Sequence, residues 1–107
     1  MEKDEILQTI KIGDIYVQHN FGTLTIFTFF KVVKKTPHGV RLQRLKKKQL
    51  NDNLIHLIVV PTEEVEEEKT YRLTKDGCVR IAFKQLLILE PAYKYDPNKV
   101  YAEYWID

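Results

Sequence analysis

The chain has 107 residues, 44% of them hydrophobic, with six Tyr, five Phe and one Trp, which is enough apolar material to offset chain entropy in one folded domain and too short a chain for two. A formal net charge of +2 is too small to mark a nucleic-acid protein by balance alone, so the distribution of charge carries more information than its sum. A single cysteine, Cys78, excludes an internal disulfide framework and a cysteine-based zinc site within one chain.

Residues 2–12 place Ile6, Leu7, Ile10 and Ile12 among polar neighbours, a pattern that fits a short amphipathic turn or a loose leader; the domain is read as residues 13–107 with 1–12 as leader. After the punctuation of Gly13-Asp14, residues 15–19 read as a strand with Ile15 and Val17 on one face and Tyr16 on the other, followed by a turn at Asn20-Phe21-Gly22. The run 24–33 has period two and carries Thr and Phe on both faces, as a central strand does. Thr36-Pro37-His38-Gly39 then predicts a hairpin turn into 40–48. There Val40 and Leu42 share a parity that Leu45 breaks, so a bulge is expected near Gln43-Arg44.

Asn51-Asp52-Asn53 is a turn cluster, and 54–60 is short, β-branched and nearly all apolar, which predicts a strand buried on both faces and ended by Pro61. Glu63, Glu64, Glu66, Glu67 and Glu68 repel one another and are assigned to a solvated loop. Residues 69–73 and 78–82 flank Asp76-Gly77, the strongest short-range hairpin signal in the chain. The stretch 83–89 fits a helical turn or a strand, and Pro91 closes it. A turn at 93–98 and an aromatic strand at 100–105 complete a mainly β fold. The expected architecture is a single twisted antiparallel sheet curled into a small barrel or half-barrel, with at most one short helix near 83–89.

Catalytic chemistry finds no constellation here. His19, His38 and His56 show no helical or strand ligand spacing, the four glycines stand singly, and Cys78 starts a strand without a helix N-terminus to activate it. The glutamate run supplies carboxylates without a pocket to shift their pKa values. The expectation is therefore a protein that is not an enzyme and needs no cofactor or metal. No apolar run approaches the roughly 20 residues that span a bilayer, and Met1-Glu2-Lys3-Asp4-Glu5 lacks the basic start of a secretory signal, so a cytoplasmic location without membrane contact is expected.

The functional lean lies in Lys31, Lys34, Lys35, Arg41, Arg44, Lys46, Lys47 and Lys48, eight of the 17 basic residues, with no Asp or Glu between residues 31 and 48. A hairpin would bring them onto neighbouring edges, a potential that suits phosphate or an acidic protein. Lysine on an exposed edge also guards against strand-to-strand aggregation, a structural reading carried beside the functional one. The separation of this stretch from the glutamates implies a dipolar domain suited to a charged partner or to head-to-tail contact with a second copy.

The order of motifs resembles a family of small uncharacterised proteins encoded by phages, other viruses and mobile elements. The residues that carry the resemblance are Gly13-Asp14-Ile15-Tyr16-Val17, Phe29-Phe30-Lys31-Val32-Val33, Val40-Arg41-Leu42-Gln43-Arg44, Val59-Val60-Pro61, Tyr95-Asp96 and Tyr101-Ala102-Glu103-Tyr104-Trp105. The chain departs from that pattern in its first turn, where Phe21 stands in for the usual Trp, and at Asp96-Pro97-Asn98 in place of Asp-Gly. The resemblance implies a viral or mobile-element origin and a compact β fold, with Phe21 added to the binding residues. The resulting expectation is a non-enzymatic accessory protein that engages a host or viral protein through charged and aromatic edges; the alternative is a nucleic-acid-binding barrel using 31–48.

Overall fold

The computed structural model describes residues 2–20, 24–53, 55–82 and 85–105. A helix α1 (Lys3–Thr9) precedes strands β1 (Ile15–Asn20), β2 (Leu24–Thr36), β3 (Gly39–Gln49), β4 (His56–Arg72), β5 (Cys78–Ala82), β6 (Gln85–Ile88) and β7 (Ala102–Trp105), with a 3-10 turn over Pro91–Tyr93. The fold is mainly β and antiparallel, as the alternation predicts. Its large sheet runs in the order β1-β2-β3-β4-β7, and β7 pairs back onto the start of β2, so hydrogen bonding returns on itself around β2, β3, β4 and β7. Strands β5 and β6 form a separate two-stranded sheet.

Apolar residues on both faces of the central strands serve two cores. One cluster joins Ile6 and Ile10 to Tyr16, Phe30, Val32, Val40 and Leu42, and is closed by Leu73, Val79, Leu87 and Leu89 from the small sheet and its connections. The other gathers Val17, Phe29, Leu45, Val59 and Tyr101. Leu45 thus changes parity because it packs in the second core. No bulge in β3 is needed: its ladder with β2 runs regularly through Phe30↔Arg44 and Phe29↔Leu45, and the extra residue, Glu66, sits on β4 opposite the step from Arg44 to Leu45.

Of the two readings for residues 2–12, the amphipathic turn is the one that forms. Asp4 and Glu5 occupy the first turn of α1, where they complement the helix dipole, and Ile6 and Ile10 are fully buried, each contributing about 1.5–3 kcal/mol. Among the described residues the α-helix therefore lies here, and of the stretch 83–89, which fits either a helical turn or a strand, Gln85–Ile88 forms a strand. Leu87 and Leu89 are buried while Leu86 is exposed, the period of a strand, and Gln85–Ile88 pairs with β5; Phe83 lies outside the described residues.

Turn chemistry explains the connections. Pro37-His38 links Thr36↔Gly39, and Gly39 is required because a β-carbon there would stand 1.9 Å from the backbone oxygen of Tyr71. Gly77 has φ of 80° in the expected Asp-Gly turn, but β5 then ladders with β6 and meets the preceding segment only at Leu73↔Val79. Asn51 and Asn53 bind the turn with their side chains: Asn51 accepts from Ile58 N–H and Asn53 accepts from both Ile55 and His56 N–H. The Asn20-Phe21-Gly22 turn extends beyond the described residues, although β1 and β2 pair antiparallel up to Asn20↔Ile26.

Two expectations around β4 are corrected. The segment before Pro61 is not buried on both faces: Ile55 is 60% exposed, and among its described residues Val59 is the buried one. The strand also runs on through Pro61, which sits where the register with β3 is irregular and a missing N–H breaks no regular ladder. The glutamates 63–68 consequently lie in a strand and not in a loop, because the basic arm of β3 is their direct neighbour. Among the described residues no helix is long and apolar enough to cross a membrane.

Candidate cationic face

Strand register decides which basic side chains remain available. On the β3–β4 ladder Arg41 donates from Nε to Glu68 and from Nη1 to Thr70 Oγ1 at 2.8 Å, while Gln43 donates to the other Glu68 oxygen at 2.6 Å. These donors, Gln43 first and Arg41 next, hold the Glu68 carboxyl below its usual pKa. Arg44 lies 3.3 Å from Glu66 and 3.2 Å from Glu67, and Lys46 lies 3.5 Å from Glu64. Such exposed pairs are screened by solvent and add little to stability, so their main consequence is to cancel field along the strand.

Two further candidates are held by the fold itself. Lys35 Nζ donates to the carbonyls of Leu7 and Ile10 at 3.0 and 3.2 Å, satisfying the C-terminal end of α1. Lys47 Nζ lies 2.6 Å from Glu103 Oε2, and the same oxygen accepts the Phe27 N–H at 2.9 Å. The pairing of β2 passes there from β7, at Thr25, to β3, at Phe29, and the carboxylate fills the gap.

Lys35, Arg44, Lys46 and Lys47 are therefore withdrawn from the expected continuous basic edge. The sequence places the glutamates some twenty residues away, and the antiparallel register brings them alongside. Lys48 is exposed near the other end of β3. Phe21 lies outside the described residues.

A smaller face persists. The register Lys31↔Gln43↔Glu68, Lys34↔Arg41↔Thr70 and Thr36↔Gly39↔Arg72 puts Lys31, Lys34, Arg41 and Arg72 on one side of β2, β3 and β4, since directly opposed residues share a face. The bulge between Val32 and Lys34 is what turns Lys34 to the side of Lys31. Four cations share this face with one carboxylate, Glu68, which pairs with Arg41, and the opposite side at this level is the first core. Arg72 was not among the sequence candidates. Its only sequence signal is its parity with Thr70 and Glu68, which becomes informative once the register is known.

The remaining chemistry-bearing residues are structurally occupied. His19 stacks on Phe27 at 4.4 Å, His56 meets Tyr104 edge-on at 4.6 Å, and His38 Nδ1 is 3.4 Å from Lys3 Nζ. Burial pushes the Cys78 thiol up in pKa, with Asp76 adding to it, the opposite of nucleophile activation. Among the described residues no group of three or more His, Cys, Asp or Glu side chains is arranged to hold a metal ion. Comparison with protein-family models, with curated proteins and with solved structures returned no match.

Proposed function

We propose that this chain is a non-enzymatic accessory binding protein, of the viral or mobile-element kind its motif order resembles, which docks an acidic segment of a protein partner on the face carrying Lys31, Lys34, Arg41 and Arg72. The observation that supports this reading is the local excess of four cations over one carboxylate on an otherwise charge-compensated β3–β4 ladder. A nucleic-acid footprint is less well served, because Lys35, Arg44, Lys46 and Lys47 are committed to internal carbonyls or carboxylates and phosphate tracking draws on about 6–10 contacts.

The test is affinity capture with the wild-type chain, a Lys34→Glu/Arg72→Glu variant and a Lys46→Glu/Lys48→Glu variant of the same net charge. An acidic protein captured by the wild type and the second variant, lost with the first and released by salt, is the expected result. Retention of every captured protein by Lys34→Glu/Arg72→Glu refutes the reading. Salt-sensitive binding of random DNA or RNA that the same variant abolishes would transfer the face to the nucleic-acid alternative.

A further inference from the structure

The first core covers one side of β3 and β4 near Val40, and the second core covers the other side near Leu45 and Val59, so two quarters of the ladder stay open. One is the cationic face. The other lies diagonally opposite, on the side of Val40 and Leu42 but at the far end of β3, where the alternation runs on to Lys46, Lys48 and Leu50. The register carries this side across β4 and β7 in three rows. Lys48 pairs with Val60 in the first; in the second the N–H of Leu50 donates to the Ile58 carbonyl at 2.8 Å and Ile58 pairs with Ala102; His56 and Tyr104 form the third. Val100 extends the row of Val60, because the Tyr101 carbonyl accepts from the Val59 N–H at 2.9 Å while the Tyr101 ring packs in the second core.

This open quarter is apolar. Val100 is 68% exposed, Leu50 59% and Tyr104 41%, with Ile58, Val60 and Ala102 half-buried between them. Apolar side chains scattered singly over a surface are ordinary, whereas adjoining rows across three strands, spaced about 5 Å by strand and about 7 Å by row, make a patch of about 300 Å². Its centre holds no Asp, Glu, Lys or Arg. At the rim Lys48 stands at one end and Asp52, in the turn beyond Leu50, at the other; both are exposed, and neither has an ion-pair partner among the described residues. Lys46, the next residue on this side, is already paired with Glu64.

The rim selects the occupant. An anionic surface or acidic segment meets Asp52, and a basic segment meets Lys48. A second copy of the chain, turned end for end about Leu50, brings Asp52 to Lys48 and Lys48 to Asp52, and lays the Val60 row over the Tyr104 row. We propose that this face is the contact of a two-fold homodimer, with Leu50 and Ile58 at its centre and Lys48 of each copy beside Asp52 of the other. About 300 Å² of apolar surface falls short of the roughly 800 Å² per partner of a standard interface, so the dimer is weak and reversible. The face is separate from the cationic one, and neither reading depends on the other.

The experiment is sedimentation equilibrium of the full chain from about 10 μM to about 2 mM. Half of the chains are expected to be dimeric at a concentration between about 0.1 and 1 mM, with no species beyond the dimer. Leu50→Glu should weaken the dimer at least about tenfold and Lys48→Glu about threefold, while Lys48→Glu/Asp52→Lys should return it to within about twofold of the wild type. The three side chains are exposed, so the variants keep the fold, which their spectra verify. Lys34→Glu/Arg72→Glu should leave the dimer unchanged. A monomer over the whole range, a dimer unmoved by Leu50→Glu, or no recovery in Lys48→Glu/Asp52→Lys overturns the proposal. So does a monomeric wild type that binds anionic lipid vesicles and loses them in Leu50→Glu, which would give the face to a membrane surface.

Discussion

Removing the Glu103 carboxylate tests how the sheet closes. Glu103 is 12% exposed at its side chain and Lys47 30%, and Glu103 Oε2 receives both the Lys47 ammonium and the Phe27 N–H. In Glu103→Ala the Phe27 N–H loses its acceptor where β2 has left β7 and not yet met β3, a loss worth about 1–3 kcal/mol. Lys47 loses its partner as well, but it still reaches solvent and adds only about 0–1 kcal/mol. The expected total is about 1–4 kcal/mol, or a fall in Tm of about 4–30 °C for a domain of this size. Glu103→Gln keeps an acceptor for Phe27 and should cost about 1 kcal/mol; Lys47→Met should cost less. Urea denaturation measures these values, and amide exchange at Phe27 should accelerate in Glu103→Ala relative to the amides of β3. A cost below about 0.5 kcal/mol with unchanged Phe27 exchange would show that the carboxylate does not hold the closure.

Gly39→Ala places a β-carbon 1.9 Å from the Tyr71 carbonyl oxygen, a backbone atom that cannot swing aside, so a loss of at least about 3 kcal/mol and poor recovery of folded protein are expected from thermal unfolding. Tyr16 is fully buried and its phenol is pushed up to about 12, by burial first and the Asp14 charge second. Between pH 10 and 12 the unfolded chain releases a proton that the native state retains, so stability is complete below pH 10 and falls by about 1.4 kcal/mol per pH unit above it. Tyr16→Phe should remove that part of the alkaline loss, leaving a shallower fall from Tyr71, whose pKa is also raised, and should be neutral or stabilising at pH 7 because the hydroxyl has no well-formed hydrogen bond. Equal alkaline slopes for the two proteins would contradict this. Glu66→Gln/Glu67→Gln/Glu68→Gln should unmask Arg41 and Arg44, so that affinity for random single-stranded DNA at low salt rises and its log–log salt dependence steepens by about one to two; no change would mean that the glutamates do not screen the strand.

The stretch 83–89 is open between helix and strand in the sequence because four apolar residues in a short window fit either period, and only the pairing of Gln85–Ile88 with β5 selects the strand. At the other end, the spacing of Ile6 and Ile10 was visible as amphipathic, but a seven-residue helix is marginal in isolation, and burial in the first core is what holds it. The basic face was legible only in part. Lys31, Lys34 and Arg41 were named from charge clustering, while Arg72 lay beyond the cluster and entered through the register of β4.

What local chemistry alone determined is the mainly β character of the chain, the turns at Pro37-His38 and Asp76-Gly77, and apolar residues on both faces of the central strand. Period-two alternation and turn residues act over a few positions, and their signals survive without knowledge of the partner strand. Tertiary structure decided which charges are available. A glutamate run that looks solvated in one dimension becomes the neighbour of a basic run because β3 and β4 are antiparallel and β4 continues through Pro61. Electrostatic pairing depends on distance across the ladder and not on distance along the chain, which is why the long basic edge read from the sequence contracts to Lys31, Lys34, Arg41 and Arg72 in the fold.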